Sequence, residues 1–126
     1  PKQVALLEAA ERSYRYGRLT EADARVDELL ELNAEHARAH LLRSNIRLEQ
    51  GNLPAALVAA KQAANLDETL PESHLNIGVI QQELGVHEEA LDAYRRFLEL
   101  APKHKYARSI RQQVATLERK LEKATP

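Results

Sequence analysis

The sequence contains no cysteine, tryptophan or methionine, and only one phenylalanine and four tyrosines among its 126 residues. Without cysteine there is no disulfide and no thiolate-bound zinc, and the chain carries no redox signature of its compartment. Because aromatic residues are so few, a hydrophobic core must be built from leucine, alanine, valine and isoleucine. Together with abundant arginine, glutamate and glutamine these residues favour helices, whereas glycine and β-branched residues are too scarce for a sheet protein.

Long apolar segments are also absent, since no run approaches the roughly 20 residues that span a bilayer, and no signal peptide or lipidation motif is recognisable. The chain begins at Pro1, which together with the lack of methionine predicts a piece of a longer protein or a mature form. We expect a soluble protein, with the cytoplasm favoured over the periplasm and the compartment otherwise open. A composition rich in arginine, alanine and leucine favours a bacterial source.

Charge is divided unevenly along the chain, although the net charge is only −1. Residues 1–94 hold 9 Lys and Arg against 16 Asp and Glu, whereas residues 95–126 hold 9 against 3. Such segregation is typical of a solvated basic terminal helix, or of a basic end that meets an acidic partner or a membrane surface. The sequence leaves both interpretations open.

An internal repeat of 34 residues organises the chain. Three of the four glycines, Gly17, Gly51 and Gly85, lie 34 residues apart. The same offset relates further columns of small and apolar residues, namely Ala10, Ser44 and Gly78; Ala22, Ala56 and Ala90; Leu29, Ala63 and Phe97; Leu30, Ala64 and Leu98; and Leu32, Leu66 and Leu100. Because several columns agree on one period, we predict a series of helical hairpins.

Each repeated position has a physical role in such a hairpin. A glycine just after a helix adopts the left-handed conformation that ends the helix without steric cost, and a small residue early in the second helix lets the two helices approach closely. Pro54 and Pro71 suit first helical turns, and Pro102 ends a helix. We therefore predict helices over residues 3–16, 20–33, 37–50, 54–66, 71–84, 88–100 and 104–123, joined by short turns that make neighbours antiparallel.

Beyond residue 104 the period fails, and a single apolar stripe takes its place. The stripe comprises Tyr106, Ile110, Val114, Leu117 and Leu121, and its spacing predicts an amphipathic helix. Such a helix caps a solenoid when its stripe covers the last repeat, or joins two copies when the stripe pairs with its symmetry mate. We expect a cap and keep a homodimer through this helix as the alternative.

The repeated columns resemble the tetratricopeptide repeat (TPR). The third repeat is the most similar, through Gly78, Gly85, Ala90, Tyr94, Phe97, Leu100 and Pro102. All three repeats depart from the family at one position. Near the start of each repeat the family has a large aromatic residue, whereas this sequence has Leu6, His40 and His74. The resemblance implies an all-α, right-handed α-solenoid of three helix–turn–helix repeats at 3–36, 37–70 and 71–104 with a C-terminal capping helix at 105–123, forming a single domain of residues 1–126.

The resemblance also implies a concave groove lined by the first helix of each pair. In this register the partner-binding residues are expected to be Leu7, Glu11, Tyr14, Arg38, Leu41, Leu42, Asn45, Leu48, Leu75, Asn76, Val79, Tyr106 and Ile110. The apolar members form a strip that, if exposed, marks a partner surface for an amphipathic helix or an extended apolar peptide. The alternative is that Leu41 and Leu75 pack between repeats. We expect Leu42→Glu with Asn76→Ala to abolish partner capture and leave melting unchanged.

One partner class of the family is not favoured. Members that grip the acidic C-terminal tail of cytosolic heat-shock chaperones use a clamp of lysine, asparagine and arginine. The corresponding positions here are Leu7, Glu11, Leu42, Glu72 and Asn76, so both lysines and the arginine are missing. We expect an apolar or helical partner instead of a charged tail.

No pattern for catalysis, metal binding or cofactor binding is present. His40 and His74 occupy equivalent repeat positions and are interpreted as packing spacers, and His36 with His40 has a metal-capable spacing but no third ligand nearby. Neither a Gly-rich phosphate loop nor a nucleophile elbow occurs. A basic cluster offers phosphate contacts through Arg95, Arg96, Lys103, Lys105, Arg108 and Arg111. The near-zero net charge and the lack of stacking aromatic residues beyond Tyr106 nevertheless argue against nucleic acid.

The sequence therefore predicts a non-catalytic protein–protein interaction module, a scaffold or adaptor that holds a peptide or amphipathic helix of another protein. Two alternatives stay open. The chain is the non-catalytic arm of a larger enzyme of the glycosyltransferase or sulfotransferase type, or it is a secretion or pilus-assembly chaperone that holds an apolar segment.

Overall fold

Seven α-helices and no strand make up the part of the chain that the computed structural model describes, residues 1–124. The helices are α1 (Lys2–Arg15), α2 (Leu19–Leu32), α3 (Ala37–Glu49), α4 (Leu53–Leu66), α5 (Pro71–Glu83), α6 (His87–Leu100) and α7 (Ala107–Ala124). The predicted all-α fold is confirmed, and six helices begin and end within a residue of the predicted bounds. None of the described helices is both long and apolar enough to cross a lipid bilayer.

The turn inside each hairpin is set by its glycine. Gly17, Gly51 and Gly85 have φ values of 75°, 75° and 79°, a conformation that costs an L-residue about 1 kcal/mol or more. After Gly51, the Asn52 side chain caps α4 by accepting a hydrogen bond from the Ala55 N–H at 3.2 Å. The sequence expectation of a left-handed glycine in each turn is confirmed.

The last helix begins three residues later than predicted, at Ala107. The preceding residues form turns in which the Ala107 N–H donates to the His104 carbonyl at 2.9 Å. In addition, the Tyr106 N–H donates to Nδ1 of His104 at 3.1 Å. Because the His104 side chain accepts the Tyr106 N–H, this backbone group is satisfied without a helical hydrogen bond. The helix therefore begins only at Ala107.

The chain divides into two compact units, the first from Pro1 to Glu68 and the second from Thr69 onward. In the first unit, α1 packs on α2, α3 packs on α4, and α2 and α1 also contact α3. Its core is almost entirely aliphatic, with seven buried members: Ala10, Ala22, Val26, Leu29, Ala39, Leu42 and Ile46. Inside the second hairpin, the buried Ser44 hydroxyl donates to the Ala56 carbonyl at 3.0 Å.

In the second unit, α6 packs between α5 and α7. The apolar stripe of α7 faces this core, where Ile110 and Leu117 are buried and Val114 and Leu121 pack against the same cluster. The stripe residue Tyr106 precedes the helix and stays half-exposed. The interpretation of α7 as a cap is therefore confirmed, and its apolar stripe is already covered.

A close approach between α5 and α6 depends on Gly78. A Cβ at this position would overlap the ring of Tyr94, which is 2% exposed. One and two repeats earlier, the same two positions hold Ser44 with Ala60 and Ala10 with Val26. Among the three repeats, the largest residue at the second position, Tyr94, is thus paired with the smallest residue at the first, Gly78.

Candidate functional site

The first helices of the two hairpins in the first unit, α1 and α3, together form a small surface depression. Its volume is about 60 Å³, and its lining consists of Leu7, Glu11, Arg38, Leu41, Leu42 and Asn45. All six were predicted from the sequence as partner-binding residues, and the fold brings them together. The leucines supply an apolar floor, while the carboxylate, guanidinium and amide groups supply polar contacts around it.

The floor is more deeply buried than the sequence predicted. Leu41 and Leu42 are only 8% and 6% exposed, and Leu42 belongs to the core of the first unit. Leu7 is half-buried beside them. The expectation of an exposed strip is wrong at both α3 leucines, because α3 is packed against α1, α2 and α4 and has little free circumference. Because Leu42 lies in this core, we expect a variant that contains Leu42→Glu to melt at a lower temperature, unlike the expectation from the sequence.

A second depression lies at the other end of α1, around Tyr14. It has a volume of about 410 Å³ and is lined by Tyr14, Arg15, Gly17, Leu19 and Glu49. Burial raises the pKa of the Tyr14 phenol above its ordinary value, and the nearby Glu49 carboxylate adds to this through its charge and a hydrogen bond. Leu48, the remaining site residue predicted in this unit, is half-buried.

In the second unit, the predicted site residues lie on α5, on α7 and just before α7. Leu75 and Asn76 are half-buried and Ile110 is buried. Of the apolar residues expected to be exposed in this unit, Val79 and Tyr106 are exposed, at 37% and 49%. The expectation that Ile110 belongs to an exposed apolar strip is wrong, because Ile110 packs on α6.

Three side chains of the second unit form a hydrogen-bond relay that sequence reasoning missed. The Tyr94 hydroxyl donates to Oε1 of Gln82 at 2.6 Å, and Nε2 of Gln82 donates to Oε1 of Gln113 at 2.7 Å. Burial, followed by the charge of Glu83, raises the pKa of Tyr94 to about 12. The relay ties α5, α6 and α7 to one another and fixes Gln82 at the edge of the predicted site.

A polar cluster on the other side of α3 was also not predicted. Arg43 Nε and Arg47 Nη2 reach the two carboxylate oxygens of Asp23 at 3.3 Å and 3.1 Å, and Arg43 also pairs with Asp27. The only sequence signal was two arginines four residues apart opposite two aspartates four residues apart. These ion pairs join α2 to α3, so both arginines have a structural role between the two helices.

The histidines that suggested a metal site make backbone contacts. His36 Nδ1 accepts a hydrogen bond from the Ala39 N–H at 3.2 Å and caps α3. His40 Nε2 lies 2.9 Å from the Ala34 carbonyl. Among residues 1–124, no three His, Asp or Glu side chains are grouped so as to hold a metal ion.

Comparison with known families gives two matches. A model described as TPR repeat matches residues 44–85, and one described as tetratricopeptide repeat matches residues 71–104. Among curated proteins, the chain is 31% identical over 99 residues to DnaJ homolog subfamily C member 3 of Gallus gallus. The match covers 79% of this chain but only 20% of that relative.

Solved structures share the fold at low sequence identity. The first TPR of Spaghetti (RPAP3), bound to the HSP90 peptide SRMEEVD, superposes with a TM-score of 0.84 at 18% identity, covering 96% of both chains. The Yersinia enterocolitica type III secretion translocator chaperone SycD gives a TM-score of 0.84 at 18% identity, covering 94% of this chain and 84% of its own.

Proposed function

Because this chain belongs to the tetratricopeptide-repeat family, we propose that it is a non-catalytic module that binds a peptide or an amphipathic helix of another protein. Within the first unit, the binding surface is the face formed by α1 and α3. The observation that carries the proposal is the depression there, in which apolar and hydrogen-bonding side chains converge on one small space.

The chemistry of this face suits a partner with an apolar anchor and an accessible backbone. Leu7 offers the anchor a half-buried contact, with Leu41 and Leu42 beneath it. Arg38 and Asn45 provide donors for backbone carbonyls, and the Asn45 amide also accepts from N–H groups. A small apolar pocket with a polar rim is the usual setting of an interface hot spot.

An acidic tail is a poor fit to the same face. Glu11 lies in the depression with three leucines, so a carboxylate placed there meets like charge and an apolar surface that does not solvate it. Arg38 is the single cation of this lining and is opposed by Glu11. The RPAP3 domain bound to the HSP90 peptide SRMEEVD shares the fold. We propose that this chain takes a different class of peptide, one that is apolar or helical.

The second unit contributes a separate contact. Val79 and Tyr106 present partly exposed apolar side chains. Gln82, one helical turn after Val79 on α5, is held by its hydrogen bonds to Tyr94 and Gln113. A partly exposed aromatic side chain is a frequent anchor at protein interfaces. We propose that this surface is a second, independent contact for a partner, and that the chain serves as an adaptor in a bacterial protein.

A peptide-display library tests the proposal, using the whole chain as bait. Peptides selected by the native chain are measured by fluorescence anisotropy against Arg38→Ala with Asn45→Ala, which truncates the rim and leaves the buried leucines intact. We expect affinity to fall at least about tenfold. Arg12→Ala with Asn65→Ala serves as the matched control, since it removes the same residue types and both residues are exposed and lie outside the depression.

The outcome separates the possible surfaces. Equal affinity of the rim variant and the native chain would place binding elsewhere and refute the α1–α3 face. Selection of acidic C-terminal peptides would refute the proposed partner class. Loss of binding in the control variant alone would place binding outside the α1–α3 depression and likewise refute this face.

A further inference from the structure

The charged surfaces of α2 and α7 are complementary in sign. From Leu19 to Glu35 the chain carries six acidic residues and one basic residue, whereas from Lys105 to Ala124 it carries six basic residues and two acidic ones. The apolar stripe of α7 is buried against α6, so the surface that α7 offers to solvent is its basic one. Neither surface is used by the peptide site proposed above.

On α2, the exposed acidic residues form one row. Glu21, Glu28 and Glu31 and the small residue Ala24 are all exposed, and at about 100° per residue they fall within an arc of about 80°. We name this row the acidic face. Its order along the helix is acid, alanine, acid, acid, with steps of three, four and three residues.

On α7, a basic row has the matching order. Arg108, Arg111 and Arg119 are exposed, Ala115 is half-buried between them, and the four fall within a similar arc of about 80°. We name this row the basic face. Its order is base, base, alanine, base, with steps of three, four and four residues.

The two faces match in one direction only. When the helices run antiparallel, Arg108 lies opposite Glu31, Arg111 opposite Glu28, and Arg119 opposite Glu21, with Ala24 against Ala115 at the point of closest approach. When they run parallel, two charged residues face an alanine. Small residues at a crossing allow helix axes to come within about 8 Å, which brings the flanking charges into range of each other.

We propose that two copies of this chain associate through these faces, the α2 acidic face of one copy pairing antiparallel with the α7 basic face of the other. The contact is heterologous, because each copy contributes a different surface. It does not depend on the apolar stripe of α7.

Existing contacts on both faces lie at the exposed surface. Glu28 pairs with Arg25 at 2.8 Å, and Glu21 lies 3.9 Å from Arg18. Glu21 also accepts a hydrogen bond from the Ser13 hydroxyl of α1 at 3.1 Å, and Arg119 donates to the Thr116 hydroxyl at 3.4 Å. Arg111 Nη2 donates to the Pro102 carbonyl at 2.7 Å, which leaves its other guanidinium donors available. Exposed pairs of this kind contribute little to stability, so the faces are free to re-pair between copies.

A second copy fits the basic face better than a membrane or a nucleic acid does. The face presents no large apolar side chain that would insert into lipid, and no aromatic residue that would stack on a base. A row of only three arginines separated by an alanine instead matches a partner with the same spacing of single carboxylates, and the acidic face has that spacing.

The experiment is sedimentation velocity over a concentration series, at ionic strengths of about 0.01 M and about 1 M, where the screening length is about 30 Å and about 3 Å. We expect the native chain to self-associate at low salt and to be monomeric at high salt. Two charge-reversed variants are compared, Arg111→Glu with Arg119→Glu on the basic face, and Glu28→Lys with Glu31→Lys on the acidic face. Each variant alone is expected to associate at least about tenfold more weakly.

Mixing the two variants is the decisive step. The first retains an intact acidic face and the second an intact basic face, so an equimolar mixture is expected to form a 1:1 heterodimer at low salt. Lys103→Glu with Lys120→Glu is the matched control, because it changes the net charge of α7 and its preceding loop equally but lies off the basic face. This control is expected to self-associate like the native chain.

Four results would overturn the proposal. They are a native chain that stays monomeric at low salt, a mixture that does not associate, a control as impaired as the basic-face variant, and a basic face that binds duplex DNA or anionic vesicles while the chain remains monomeric. Circular dichroism of every variant confirms that the helices are retained, so that a loss of association is attributed to the faces.

Discussion

The packing of Gly78 against Tyr94 leads to a quantitative prediction. A methyl group at residue 78 would overlap the Tyr94 ring, and the ring has no room to retreat because it is 2% exposed and its hydroxyl is held by Gln82 at 2.6 Å. Overpacking costs about 1–3 kcal/mol, and the upper end applies here because the added Cβ overlaps the ring severely. The alanine regains up to about 1 kcal/mol of helix propensity. We expect Gly78→Ala to lower the free energy of unfolding by about 2 kcal/mol, measured by urea denaturation.

A double-mutant cycle isolates the steric cause. Tyr94→Val alone is expected to destabilise the protein by about 3 kcal/mol, since it leaves a cavity. Combined with Gly78→Ala it restores the residue pair that the first repeat has at Ala10 and Val26. The double variant should therefore lose at least about 1 kcal/mol less than the sum of the two single losses. Strict additivity, or a Gly78→Ala variant as stable as the native protein, would refute the reasoning.

Three further predictions concern conformation, ionisation and burial. Gly51→Ala should cost about 1 kcal/mol in urea denaturation through its φ of 75° alone, because no atom lies within 4 Å of the added Cβ; a neutral result would contradict this. Because the pKa of Tyr94 is raised to about 12, the stability that its neutral form provides should be complete below about pH 10 and lost as the pH rises toward 12. Near-ultraviolet absorbance of tyrosinate during titration checks this, with Tyr94→Phe lacking the late step. Leu42→Glu should lower stability by about 3 kcal/mol or more in thermal melts, whereas Val58→Glu, at a position 71% exposed, should change it by less than about 0.5 kcal/mol.

Much of the fold follows from local chemistry that the sequence displays. The glycine of each turn and the 34-residue columns predicted the first six helices to within a residue. This was possible because a left-handed turn requires glycine and a close helix contact requires a small residue, so both can be recognised in the sequence. The start of α7 was missed for a related reason. It depends on a hydrogen bond from the Tyr106 N–H to the His104 side chain, and a histidine in a loop does not by itself predict a turn.

Six of the thirteen residues proposed from the sequence line one depression, but the sequence did not predict how deeply they are buried. The periodicity of α3 places Leu41 and Leu42 about 100° apart on the helix, and it does not reveal that α1, α2 and α4 together cover both directions. The pairing of Asp23 with Arg43 and Arg47 was also out of reach, because their spacing along the chain indicates surface charge equally well. Periodicity identifies the faces of a helix, whereas the number of neighbours decides which of those faces remains free.

The volume match between Gly78 and Tyr94 also bears on how such a chain can be recombined. Because the repeats share one period, single helices could in principle be exchanged between them. However, α5 has Gly78 where it packs against the large Tyr94, and α3 has Ser44 at the equivalent position. A chimera that moved α3 into the position of α5 would set a hydroxymethyl group against the tyrosine ring. The smallest unit that can be transplanted intact is therefore the hairpin, and grafts or permutations of this scaffold are best cut between hairpins and not at the glycine turns.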